Sequence, residues 1–306
     1  MKWIVGLDLR PSSQGALIFG DWLVKTTAAR ASGDASTRPS GDALVGIHVL
    51  EEDHLRVALR YHHLDELLAN AVGLAERVIE QTGTASSLKQ FHVIQGLHAE
   101  ESLEAARVFH HADGHLVGRQ AKEDGRGLIR LGRVARRLLR SLPAPVIVVP
   151  PDWQVAHLGT GPVIAMCKLT PDSAEAVELA LRTAERIGRE VLVLHVVPVP
   201  EDYGAYYLPP ESLEKIRAEH QQTGEAELAN WLASYGFTGV RSQVVQGPTV
   251  ASAIAVAEAE KATMIVTGSR RLSVFERILL TSIGSEMAAA SPCPVMVVPP
   301  VDPRGT

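Results

Sequence analysis

Residues 261–300, KATMIVTGSRRLSVFERILLTSIGSEMAAASPCPVMVVPP, read as two buried strands with a helix between them. Met264 to Thr267 is the first strand and runs out at Gly268-Ser269. An amphipathic helix begins near Thr281-Ser282, and Pro294 to Val298 is the second strand. Apolar runs of this kind, bounded by Gly and Pro, suit parallel strands covered on both faces, and the segment between them has the length of a crossover helix. A glycine at the carboxyl end of such a strand, followed by a hydroxyl-rich helix start, puts backbone amides where an oxyanion can be held. The sequence therefore directs the search for a ligand to this stretch.

The same pattern occurs earlier. Ala112 to Gln120 (ADGHLVGRQ) aligns with Ala262 to Arg270 (ATMIVTGSR), and Pro145 to Pro151 (PVIVVPP) with Pro294 to Pro300 (PVMVVPP). Ile94-Gln95-Gly96 matches Val245-Gln246-Gly247, and Ile47-His48-Val49 matches Leu194-His195-Val196. Four blocks in one order at nearly one offset mean an internal duplication of a unit of about 150 residues, the size of one domain.

The totals agree with two such units. The chain has 306 residues, 46% of them hydrophobic, enough for two ordinary cores. Its net charge of −5 gives no overall pull toward nucleic acid or an anionic membrane. No apolar run approaches the roughly 18–20 residues of a membrane span, and the start, MKWIVGLDLRP, has too short an apolar core for a signal peptide. A cytoplasmic protein is expected. Cys167 and Cys293 fall in or beside predicted strands, so buried thiols are expected.

Taken in order, the first half reads as strand Lys2–Leu9, a helix from about Gln14, a Ser/Gly/Asp-rich loop over 31–42, and strand Leu44–Leu50. It continues with helix Leu64–Thr82, strand Gln90–Gln95 ending at Gly96, helix Ala99–Phe109, strand His115–Val117, helix Ile129–Ser141 and strand Val146–Val149. The second half repeats this order from Pro162. Strand and helix in alternation imply an α/β fold of two repeated Rossmann-like domains, each a five-stranded parallel sheet with helices on both faces. Ligands are expected at the carboxyl ends of strands one and four of each half, where the strand order would reverse. The domains are expected at 1–151 and 162–306, joined by a linker at 152–161.

Both halves resemble the universal stress protein family, and the chain looks like a tandem two-domain member. The resemblance rests on VGLDLRPSS at Val5–Ser13, the His-Val pairs His48-Val49 and His195-Val196, and the strand-three exits Gly96 and Gly247. It rests also on Gly268-Ser269-Arg270 followed by a helix entry and PVMVVP. It implies an adenine nucleotide alpha hydrolase-like fold and a stress-response binding module. It also implies ATP with Mg²⁺ as the cofactor, and pairing of the two halves through their fifth strands as an intramolecular pseudo-dimer, with a further homodimer open.

In members that bind ATP, a loop of the form Gly, two residues, Gly, nine residues, Gly-Ser or Gly-Thr follows strand four. Glycines let backbone approach phosphates, while amides and a hydroxyl at the helix start donate to them. By this resemblance the second-half candidates are Gly268, Ser269, Arg271, Thr281, Ser282 and Ile283, with Val196 at the adenine and Lys168 where the family has an aspartate. The spacing is kept but the second and third glycines are not. The first half keeps the aspartate as Asp8 and has Val49, Gly118 and Gly132, with Ala121 at the second glycine position, one extra residue before Gly132, and Arg133 where a hydroxyl is usual. The kept spacing favours the second half for ATP. Two alternatives stay open: a nucleotide-free scaffold for an unknown protein partner, and a slow ATP hydrolase. No Gly-x-Ser-x-Gly elbow, Walker loop or HExxH occurs, and no catalytic residue is assigned.

Two further clusters invite sharper readings than their setting supports. Arg126, Arg130, Arg133, Arg137 and Arg140 form a stripe at helical spacing, expected to be a solvated face paired with acids of the other half. His110, His111, Asp113 and His115 lack metal-ligand spacing, and no metal site is expected there.

Overall fold

The computed structural model describes residues 1–9, 14–31, 41–52, 55–56, 60–61, 63–119, 131–151, 153–198, 209–269 and 282–300. The first half contains β1 (Lys2–Gly6), α1 (Gly15–Ala31), β2 (Ala43–Glu51), α2 (Leu64–Thr82), β3 (Leu88–Gly96), α3 (Ala99–Phe109), β4 (Gly114–Gly118), α4 (Arg133–Ser141) and β5 (Val146–Val149). The second half contains β6 (Val163–Cys167), α5 (Pro171–Ile187), β7 (Val191–Val197), α6 (Pro210–Ser234), β8 (Arg241–Gln246), α7 (Thr249–Ala259), β9 (Met264–Gly268), α8 (Ile283–Ala290) and β10 (Val295–Val298).

All ten strands form one sheet in the order β3-β2-β1-β4-β5-β10-β9-β6-β7-β8. Within each half every pairing is parallel. The halves meet where β5 pairs antiparallel with β10, with Val295 opposite Val148, Met296 opposite Ile147 and Val297 opposite Val146. A pseudo-two-fold axis thus passes between Ile147 and Met296. Both strands are buried along their whole length, so each covers an edge that would otherwise be open and apolar.

Because the seam makes the sheet continuous, the apolar interior is divided by sheet face and not by repeat. One core joins Trp3, Phe19, Ile147 and Trp153 to Val177, Trp231, Met264 and Met296, under α1, α2, α5 and α6. The opposite core joins Ile4, Leu138 and Val148 to Ile164, Leu192, Met287 and Val295, under α3, α4, α7 and α8. The expectation of one core per half is corrected accordingly.

Local chemistry sets the element ends. Gly83 and Gly188 close α2 and α5 at φ +65 and +67, the left-handed geometry that glycine takes without strain. Pro171 opens α5 at its first turn, where no amide hydrogen is needed. β1 ends at Gly6 and not at Leu9: Leu7 N still donates to Ile47 O of β2 at 2.8 Å, while Leu7 O accepts from the His48 side chain at Nδ1, 2.8 Å away, where the ladder gives way to the turn. The expected helix from Ile129 is described from Arg133 onward. Among the described residues no helix is long and apolar enough to cross a membrane.

Candidate functional site

A cleft of about 560 Å³ opens at the carboxyl ends of β1, β2 and β4 in the first half. Asp8 comes from the β1 exit, Val49 from the end of β2, Gly118 from the end of β4, and Gly132 from the cap of α4. These four first-half candidates, from four separate segments, line one cavity. Its size suits a small molecule. Gly132 caps α4 with no side-chain hydrogen bond, so no side chain at the cap position takes up the first-turn amides.

Two charged side chains at this cleft were not singled out as a pair by the sequence. Glu51, the last residue of β2, accepts from the Ala99 amide at the start of α3 at 3.2 Å, and its other oxygen pairs with Arg133, the first residue of α4. The Glu51 side chain is 14% exposed and that of Arg133 49%. An acid closing an otherwise apolar strand, LVGIHVLE, is the signal that would have found Glu51.

The second half repeats the supporting contacts. His195 Nδ1 donates to Cys167 O at 2.8 Å, as His48 does to Leu7 O, so both histidines hold the turn after the first strand of their half. Val196 lies near the end of β7 opposite Val245. Gly268 ends β9, and Ser269 N donates to Val298 O at 2.9 Å. A Cβ on Gly268 would lie 2.8 Å from the Asp172 carbonyl, so close packing on α5 accounts for this glycine. Ser282 caps α8 by accepting from Ser285 N at 3.1 Å, and Ile283 is the first helical residue. Lys168 follows β6, with its amide donating to Ser173 Oγ at 3.0 Å. Next to it Leu169 sits at φ +59, a left-handed backbone that costs a branched residue energy. Arg271 and Thr281, like Ala121 of the first half, lie outside the described residues.

The other clusters have structural partners. Among the described residues Arg133 and Arg137 pair with Glu51 and Glu100 of their own half, not with acids of the other, and Arg126 and Arg130 lie outside the described residues. His115 is fully buried in β4 and meets Glu104 at 2.9 Å, Asp113 accepts from Lys2 N, and His110 stacks on His92. Among the described residues no group of three or more His, Cys, Asp or Glu could hold a metal ion. Both cysteines are free and buried, and burial pushes the Cys167 thiol up to about 11.

Residues 163–299 match the model of the universal stress protein family. A universal stress protein of Thermus aquaticus is 31% identical over 124 residues, a match covering 40% of this chain and 87% of the relative. The chain belongs to the universal stress protein family. A universal stress protein of Mycolicibacterium smegmatis is 32% identical over 178 residues, covering 57% of this chain and 58% of the relative, so the match spans little more than half of that protein. Among solved structures, a universal stress protein from Archaeoglobus fulgidus superposes with a TM-score of 0.65 at 19% identity, over 97% of this chain and 98% of the other. At that identity the likeness shows the fold, and it extends over both halves: this universal stress protein is a two-domain member.

Proposed function

We propose that this universal stress protein is a stress-response binding module that holds an adenine nucleoside or nucleotide in its first-half cleft. The observation that carries the proposal is the convergence of Asp8, Val49, Gly118 and Gly132 on one cavity of about 560 Å³. A carboxylate at the strand-one exit accepts from ribose hydroxyls, the backbone at Val49 reads a flat base edge, and glycines at Gly118 and Gly132 allow close approach of the rest. The two units of the module are 1–151 and 162–306, joined by 152–161.

The second half supports the same chemistry less well. Lys168 stands in the place of Asp8, the packing of Gly268 on the Asp172 carbonyl explains that glycine without a ligand, and the hydroxyl of Ser282 already caps α8. No residue of the first-half cleft is assigned a catalytic role, and the module signals through the surface its bound state presents to a protein partner.

The test is to purify the whole chain natively, denature it, and identify released small molecules by mass spectrometry. An adenine-bearing compound, retained by the chain and depleted in Asp8→Ala, is the expected result. Absence of any such compound, together with no heat on titrating adenosine, AMP or ATP, would leave a nucleotide-free scaffold as the reading.

A further inference from the structure

Resting on that reading of the cleft, we infer that His48 is a positioning residue of the first-half site. Its ring holds the Leu7 carbonyl, and so keeps the Val49 amide out of the sheet and available to the edge of a bound base. The last pair of the β1–β2 ladder is Gly6 opposite Ile47, and Leu7 N still donates to Ile47 O at 2.8 Å. A parallel ladder taken one step further would have the Val49 amide donate to the Leu7 carbonyl. Among the described residues that bond is absent, and the Leu7 carbonyl accepts instead from His48 Nδ1 at 2.8 Å. A carbonyl only accepts, so Nδ1 carries the hydrogen. One side chain thus ties the exit of β1, next to Asp8, to the end of β2, next to Val49, and all four residues line the cleft.

The second half supplies the comparison within the same molecule. His195 Nδ1 donates to Cys167 O at 2.8 Å, yet β6 runs on through Cys167, which pairs with His195. That register is the one in which the Val196 amide donates to the Cys167 carbonyl. The same histidine bond therefore stands beside a closed ladder in one half and in place of it in the other. Two further bonds hold the second-half turn, Lys168 N to Ser173 Oγ at 3.0 Å and Leu169 N to Cys167 Sγ at 3.4 Å. Removing the ring is then expected to act unequally. In the second half the ladder remains. In the first, the Leu7 carbonyl is released to the Val49 amide, an exchange that breaks one hydrogen bond and makes another, and the base is left without its donor.

The experiment combines amide hydrogen exchange at Val49, read by NMR in the whole chain, with calorimetric titration of adenosine. It compares the wild type with His48→Leu, His48→Asn and His195→Leu, with thermal unfolding to verify that each folds; His48→Phe, a ring without the donor, replaces a His48→Leu that does not. In the wild type the Val49 amide is expected to exchange quickly alone and slowly with adenosine. In His48→Leu it is expected to exchange about tenfold more slowly without ligand, and adenosine to bind about tenfold more weakly. His48→Asn, whose side-chain amide donates in place of Nδ1, is expected to restore both to within about threefold. His195→Leu is expected to leave both at the wild-type values. A Val49 amide already protected in the free wild type, or one that stays fast in His48→Leu, overturns the inference. So does adenosine binding that His48→Leu leaves unchanged or that His195→Leu weakens equally. Failure of adenosine to bind the wild type removes the nucleoside site and the role of His48 in it, whereas loss of His48 control over Val49 exchange with adenosine binding intact leaves the site standing.

Discussion

His115 shows how a single residue can look like chemistry in a sequence and serve structure in the fold. Its ring is fully buried in β4, with Nε2 on Glu104 and no hydrogen-bond partner for Nδ1 among the described residues. Burial holds the imidazole below its ordinary value of 6.5, against the opposing pull of Glu104, while Arg107 adds to the lowering. Burial raises Glu104, but its bonds from Arg107 and His115 outweigh that and hold it below the usual carboxylate value. Both shifts act in one direction. As pH falls below about 6.5 the unfolded chain takes up a proton that folded His115 resists, and at lower pH Glu104 follows, so stability is full near neutrality and lost in acid. His115→Leu should therefore flatten the fall in melting temperature between pH 7 and 5.5, and a variant as acid-sensitive as the wild type would contradict this. The sequence places His115 inside a strand correctly. Glu104 is invisible as its partner because the pair joins a helix to a strand, and no spacing rule links them. Glu51 and Arg133 were missed as a pair for the same reason.

Among the elements, α8 depends on a residue from the other half. Arg119 follows β4, is 5% exposed, and donates through Nη1 to the carbonyls of Ala288 at 3.2 Å, Ala289 at 2.6 Å and Ser291 at 3.0 Å. These carbonyls lie at the carboxyl end of α8, where helical acceptors lack partners and a cation is favoured. Arg119→Met should lower stability by about 2–3 kcal/mol through the unpaired carbonyls, read as a shifted denaturant midpoint. A midpoint at the wild-type value would show that water takes over the contacts. The counterpart of Arg119 in the repeat is Ser269, so this clamp has no twin, and the alignment alone gives no reason to single it out. Element positions were otherwise legible, because apolar runs bounded by Gly and Pro mark strands and a 3.6-residue period marks helices. The end of β1 was not, since the side chain that meets the Leu7 carbonyl, His48, comes from another strand.

At the scale of the whole molecule, the β5–β10 seam makes two repeated units one sheet with two shared cores. The duplicated PVIVVPP and PVMVVPP stretches foretold two apolar edges that need cover, and the structure joins them to each other. Arg186 of the second half further pairs with the buried Asp42 of the first. The chain should unfold in a single transition whose calorimetric and van't Hoff enthalpies agree. Two resolved transitions would mean that the seam holds the halves together without coupling their stabilities.

Function follows from where that sheet leaves its strand ends. The kept spacing favours the second half, but the four first-half residues line one described cleft. Spacing along the chain and convergence in space are different signals, and only the second depends on turns fixed by remote contacts. The most direct measurement is calorimetric titration of adenosine into the whole chain and into Asp8→Ala. One adenosine per chain at micromolar affinity, weakened about tenfold in Asp8→Ala, is the predicted result. No binding by the wild type, or binding that Asp8→Ala leaves unchanged, would contradict a nucleoside site in the first half.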